Sequence, residues 1–142
     1  MRKTTILFGL AASLAVATYA ADPDITKLPA PAAKTGLTFD KDIKPMFEKA
    51  CFKCHGPEKQ KAKLRVDSLD AIKKGGENGA IFEAGKSEKS NLVHSIARIL
   101  DEDLNMPPEG KADPLTDAEK ELLKKWIDEG ANFGAWVGKP KK

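Results

Sequence analysis

Apolar residues recur at helical spacing in four places along the chain. Ile43, Met46, Phe47, Ala50, Cys51 and Cys54 fall at i, i+3, i+4, i+7, i+8 and i+11, which predicts a first helix carrying both cysteines on one face. Asp40 or Asp42 can cap it; the second choice puts Pro45 in the first turn, where its missing amide proton costs little, and Gly56-Pro57 stops it. Leu69, Ala71 and Ile72 predict a short second helix, capped by Asp67 or Ser68 and ended by Gly75-Gly76. Leu92, Ile96 and Ile99, with Val93 and Leu100 at the edge, predict a third from Ser87 or Ser90 to about Leu100. His94 lies about 160° from the centre of that stripe at about 100° per residue, so it is predicted to face water. Thr116-Asp117-Ala118-Glu119 is a capping box that opens a fourth helix presenting Leu122, Leu123, Trp126 and Ile127 before Gly130. No run of alternating β-branched residues predicts a strand. The pattern is that of an all-α domain of about four short helices, without internal repeats.

The ends read differently. Residues 1–20 combine Arg2 and Lys3, an apolar run from Ile6 to Ala17 and small residues at Thr18-Tyr19-Ala20, the layout of a secretory signal peptide and shorter than a membrane span. Cleavage after Ala20 is expected to leave no stable membrane anchor; retention as an anchor is the alternative. Residues 21–37 are rich in Pro, Ala and Lys and predict a flexible tether. The domain is expected over 38–137, with a disordered basic tail at 138–142.

Composition adds little and charge distribution adds more. The 142 residues are 41% hydrophobic and carry only two cysteines, too few for a disulfide framework. Loss of Arg2 and Lys3 takes 24 basic residues to 22 against 21 acids, a net charge of +1 that argues for neither nucleic acid nor a membrane surface as partner. Residues 41–65, however, hold eight basic side chains against Asp42, Glu48 and Glu58, while 101–121 hold eight acids against Lys111 and Lys120. The basic segment is expected to steer the protein toward an acidic partner.

The candidate chemistry lies in Cys51-Phe52-Lys53-Cys54-His55, two thiols one helical turn apart followed by an imidazole, which is the attachment pattern of c-type haem. Each thiol can bond one vinyl group, and His55 can then ligate the iron. A Cys51–Cys54 disulfide, a dithiol redox pair and a zinc site are the alternative uses. A six-coordinate electron carrier needs a second axial ligand. Met1 leaves with the signal and Met46 is too close to Cys51, whereas Met106 stands in a loop stiffened by Pro107 and Pro108. Loop packing by Met106, or ligation by His94, are the competing assignments.

With these pieces in place the chain resembles the planctomycete-type cytochrome c family, a branch of the class I cytochrome c fold. The resemblance runs from Phe39 to Trp136 through Cys51-Phe52-Lys53-Cys54-His55-Gly56-Pro57, Leu64-Arg65-Val66-Asp67-Ser68, Gly75-Gly76, Gly85 with Ser87 and Ser90, Met106-Pro107-Pro108, Leu115-Thr116-Asp117-Ala118-Glu119, Trp126-Ile127 and Gly130-Ala131. It implies a class I cytochrome c-like fold around one haem c, covalent through Cys51 and Cys54, with His55 proximal and Met106 distal. It also implies that the first and last helices cross, making Phe47 and Trp126 neighbours. Arg65 matches a basic family position and is expected to contact a haem propionate, the alternative being an exposed side chain bonded to Asp67 or water. Ala62-Lys63 stand where the family tends to have glycines, and Lys111-Ala112-Asp113-Pro114 lengthen the link to the last helix. The function implied is one-electron transfer by a monomer, periplasmic or secreted, that meets redox partners transiently; no catalytic residue is expected. A ligand-displaceable haem protein, or a haem-bearing interaction or sensor module, are the alternatives.

Overall fold

The computed structural model describes residues 22–138. The signal peptide expected at 1–20 and the last residues of the expected tail, 139–142, lie outside them. Four helices form: α1 (Lys44–Ala50), α2 (Leu69–Lys74), α3 (Asn91–Ala97) and α4 (Asp117–Asp128), joined by loops and single 3-10 turns. Among the described residues there is no strand, only isolated bridges such as Ser68 with Gly138. No helix among them is long and apolar enough to cross a membrane.

The first helix differs most from expectation. It is entered through a wide π turn at Phe39–Ile43, in which the Asp42 carboxylate accepts from the Thr38 amide at 2.9 Å, and Pro45 sits in the first turn of α1 as its lost donor allows. It ends at Ala50, before either cysteine. The Phe47 carbonyl accepts from both Cys51 N at 2.8 Å and Phe52 N at 3.0 Å, so the last turn opens out. Cys54 N and His55 N then both donate to Cys51 O, at 3.1 and 2.9 Å, closing a separate turn. The apolar periodicity continues through the cysteines because they face a cavity, not because the helix continues. Gly56 follows where a Cβ would lie 2.3 Å from the Phe52 carbonyl, a space only glycine leaves free.

The other helices follow local signals more closely. Ser68 caps α2 through Ala71 N at 3.3 Å, and Gly75, at φ 73°, closes it. Thr116 and Glu119 form the reciprocal capping box of α4. α3 stops at Ala97, short of the expected Leu100, because Arg98 turns left-handed at φ 59°.

α3 packs on α4, and the Phe39–Ile43 turn packs on both α1 and α4. Contact between the two ends of the domain therefore runs through Phe39, whose ring centroid lies 5.3 Å from Phe47 and 5.6 Å from Trp126. In place of the expected adjacency of Phe47 and Trp126, Phe39 stands between them, edge to face with the first and tilted on the second. The Lys49–Glu119 ion pair at 2.7 Å ties α1 to the start of α4.

The segment expected as a tether is docked at points along its described length, and Gly138, the one described residue of the expected tail, is bonded to the domain. Within 22–37, Leu28 lies against the core, Lys34 pairs with Asp42, and Leu37 is fully buried with its amide donating to Glu129 Oε2 at 3.1 Å. Its prolines prevent regular structure, but two leucine side chains, Leu28 and Leu37, dock part of it, while Ile25 stays exposed. At the other end Gly138 bridges to Ser68, and Leu69 N donates to Val137 O at 3.1 Å.

Candidate functional site

The turn after α1, the loops at 62–66 and 76–81, one face of α3 and the 104–115 loop enclose a cavity of about 300 Å³. Cys51, Cys54, His55 and Met106 all line it. Phe47, Leu64, Val66, Leu92 and Ile96 supply apolar wall. The volume is at the lower end of the about 300–1,000 Å³ of small-molecule and cofactor sites.

His55 is held by its main chain on both sides, donating to Cys51 O and accepting from Val66 N at 2.8 Å. Its side chain is 9% exposed, and the buried Nδ1 has no hydrogen-bond partner. Burial pushes the imidazole below its ordinary pKa, against a smaller upward pull from the main chain at Leu64 and Lys61. The neutral ring is the form that binds a metal. Both cysteines are free thiols. Burial, with Cys54 adding to it, pushes the Cys51 thiol up to about 12. Such a thiol is protonated at neutral pH, which weighs against a redox dithiol. Among the described residues no three His, Cys, Asp or Glu side chains gather as a metal cage.

Met106 is half-buried and its loop is fastened to α3. Met106 N donates to Ser95 O at 3.0 Å, Arg98 Nη1 to Pro107 O at 3.1 Å, and Asn105 Nδ2 to Leu100 O at 3.2 Å. Ser95 O also accepts from Arg98 N at 3.2 Å, so one carbonyl at the end of α3 holds both the helix cap and the Met106 loop. Sequence reasoning missed Arg98 and Asn105, since nothing in the spacing ties either to a proline-rich loop.

Two expected residues are placed elsewhere. Arg65 does not line the cavity: its Nε and Nη2 bond both Asp67 carboxylate oxygens at 2.9 and 2.8 Å, and both side chains are buried. His94 is buried at 6% exposure, not water-facing, with Nε2 2.7 Å from Glu88 O. The 3-10 turn Ser87–Lys89 covers the face that the pattern within α3 marks as outer. α3 is buried on two sides, Val93 toward the core, Leu92 and Ser95 toward the cavity, and Ile96 bordering both.

Paired free thiols, an unpartnered buried imidazole and a distant thioether on one apolar wall fit a covalently attached haem. The class these features define is that of c-type cytochromes. The family described as planctomycete cytochrome C matches residues 51–110, from the first cysteine past Met106, in agreement with the resemblance read from the residues. The match is narrower than the resemblance read from the residues, leaving out Phe39 and all of α4. No curated protein and no solved structure matches the chain.

Proposed function

We propose that the chain is a mono-haem c-type cytochrome that carries one electron at a time outside the cytoplasm, with His55 and Met106 as axial ligands. One observation carries this reading: Met106, 51 residues after His55, lines the same cavity as the attachment turn. Haem bound there supplies a one-electron change at iron, and a thioether ligand raises its potential.

The chain's own residues serve that use. Cys51 and Cys54 anchor, His55 offers a neutral nitrogen, and the bonds from Ser95 and Arg98 fix the distance of the Met106 loop. Apart from His55 and the cysteines, the ionisable side chains lining the cavity are Lys53, Glu77 and Lys111, all exposed. A peroxide-processing site needs a sheltered acid or base, so this lining supports the carrier over the ligand-displaceable alternative. Partners would meet the cavity mouth over a small, transient interface of less than about 1,200 Å². The layout of residues 1–20 supports export.

The test is the mass and the absorption spectra of the exported protein. One haem adduct is expected, with no spectral change when carbon monoxide is added to the reduced form. Met106→Ala is expected to bind carbon monoxide promptly. A bare-chain mass would overturn the cofactor, and prompt binding by the unaltered protein would overturn Met106 as ligand.

A further inference from the structure

Two short 3-10 turns border the cavity, Lys61–Lys63 and Glu102–Leu104. Ala62 of the first and Leu104 of the second line it, so the charged neighbours of each stand on its rim. On the first lip Lys53, Lys61 and Lys63 are exposed beside Glu77, whose amide donates to Ala62 O at 2.8 Å. On the second lip Asp101, Glu102 and Asp103 are exposed, and Lys111 lies on the same loop. None of these eight side chains has an ion-pair partner within the described residues. Leu104, between the acids and the cavity, is 48% exposed, a large apolar side chain left in water at the mouth.

The mouth is thus bipolar. A partner of one sign is drawn by one lip and repelled by the other, so the uniform attraction of an acidic partner to residues 41–65 is only half of the field it meets. We infer that the cavity mouth is a self-complementary docking face whose occupant is a second copy of this chain. A two-fold axis in the plane of contact, running between the lips, sets each lysine lip on the acidic lip of the other copy. Both contacts then form at once, the isologous arrangement of a closed dimer. The two Leu104 side chains add apolar area to it.

The association is weak, because exposed ion pairs contribute little each and salt screens them. It is a reversible encounter, not a permanent dimer. It places cavity mouth against cavity mouth, and in that respect rests on the proposed electron-carrier function, for which it would provide exchange of an electron between copies.

Sedimentation velocity of the haem-loaded protein tests the contact apart from its redox role. At about 0.01 M salt, where screening reaches about 30 Å, the sedimentation coefficient is expected to rise with protein concentration; at about 1 M, where screening reaches about 3 Å, it should not. Lys61→Glu/Lys63→Glu and Asp101→Lys/Asp103→Lys are each expected to abolish the rise alone, and their equimolar mixture to restore it. A monomer at low salt, association that survives high salt, variants that still self-associate, or a mixture that stays monomeric each overturn the proposal. Should either variant misfold, the salt dependence of the unaltered protein decides. Haem mass and carbon monoxide response report on the ligation separately.

Discussion

At the scale of single residues, which sulfur and imidazole side chains meet in one cavity was legible and polar placement was not. Cys51, Cys54, His55 and Met106 could be named because thiol, imidazole and thioether have few uses at that spacing, and the cavity gathers all four. Arg65 had two candidate partners, and no periodicity separates an ion pair across one intervening residue from a reach into a pocket. The structure pairs it with Asp67, at 7% and 2% exposure. That pair makes a prediction. Little water reaches it, yet it lies just beneath the surface, so Arg65→Met should cost about 1–3 kcal/mol by stranding the carboxylate, below the about 3–5 kcal/mol of a deeply buried pair. Arg65→Met/Asp67→Leu should recover most of that loss, and denaturant midpoints of the two variants check it. Equal losses would show that the two side chains are not coupled. His94 illustrates the same limit: its cover comes from Ser87–Lys89, a turn outside the helix whose pattern was read.

At the scale of elements, ends set by local bonds were read correctly and ends set by tertiary surroundings were not. The Thr116–Glu119 box and the Ser68 cap involve residues three apart, so they are visible in any window of sequence. The end of α1 is not, because core-facing and cavity-facing apolar residues look alike along a chain. Glu119 joins both levels, since it closes the box and pairs with Lys49. Its burial pulls its pKa upward, but Lys49 and the Thr116 amide and hydroxyl outweigh that and hold it below the ordinary 4.5. A carboxylate with a depressed folded pKa stabilises the fold above its unfolded value and loses that contribution as pH falls through the folded one. The stability gap between the unaltered protein and Glu119→Gln should therefore be full near neutral pH and shrink below about pH 4.5. Thermal melts at both pH values measure it, and a gap independent of pH would mean that Glu119 acts through packing alone. Thr116→Ala, which removes the cap itself, should cost about 1 kcal/mol at any pH.

At the scale of the whole molecule, the cavity rests on an aromatic cluster that both ends of the described chain close. Phe47 lines the cavity and meets Phe39 edge to face at 5.3 Å; behind Phe39 lie Trp126 at 5.6 Å, Phe133 at 5.0 Å and Trp136 at 4.2 Å. Phe39 N donates to Asn132 O at 2.9 Å, so the strap before α1 and the strap after α4 are bonded to each other as well as in ring contact. No sequence window contains both straps, which is why 21–37 reads as a tether and Gly138 as a frayed end. Trp136 tests the arrangement because it belongs to the cluster without touching the cavity. Trp136→Ala removes part of the cover of Phe39, and since Trp136 is only partly buried the loss should be about 2 kcal/mol, below the about 3–5 kcal/mol of a fully buried tryptophan. Every residue proposed to hold the haem stays in place, so the absorption spectrum of the haem-loaded variant should match that of the unaltered protein while its denaturation midpoint falls. A shifted spectrum would instead mean that Phe47 passes the disturbance on, and that the C-terminal strap sets the shape of the cavity rather than only its stability.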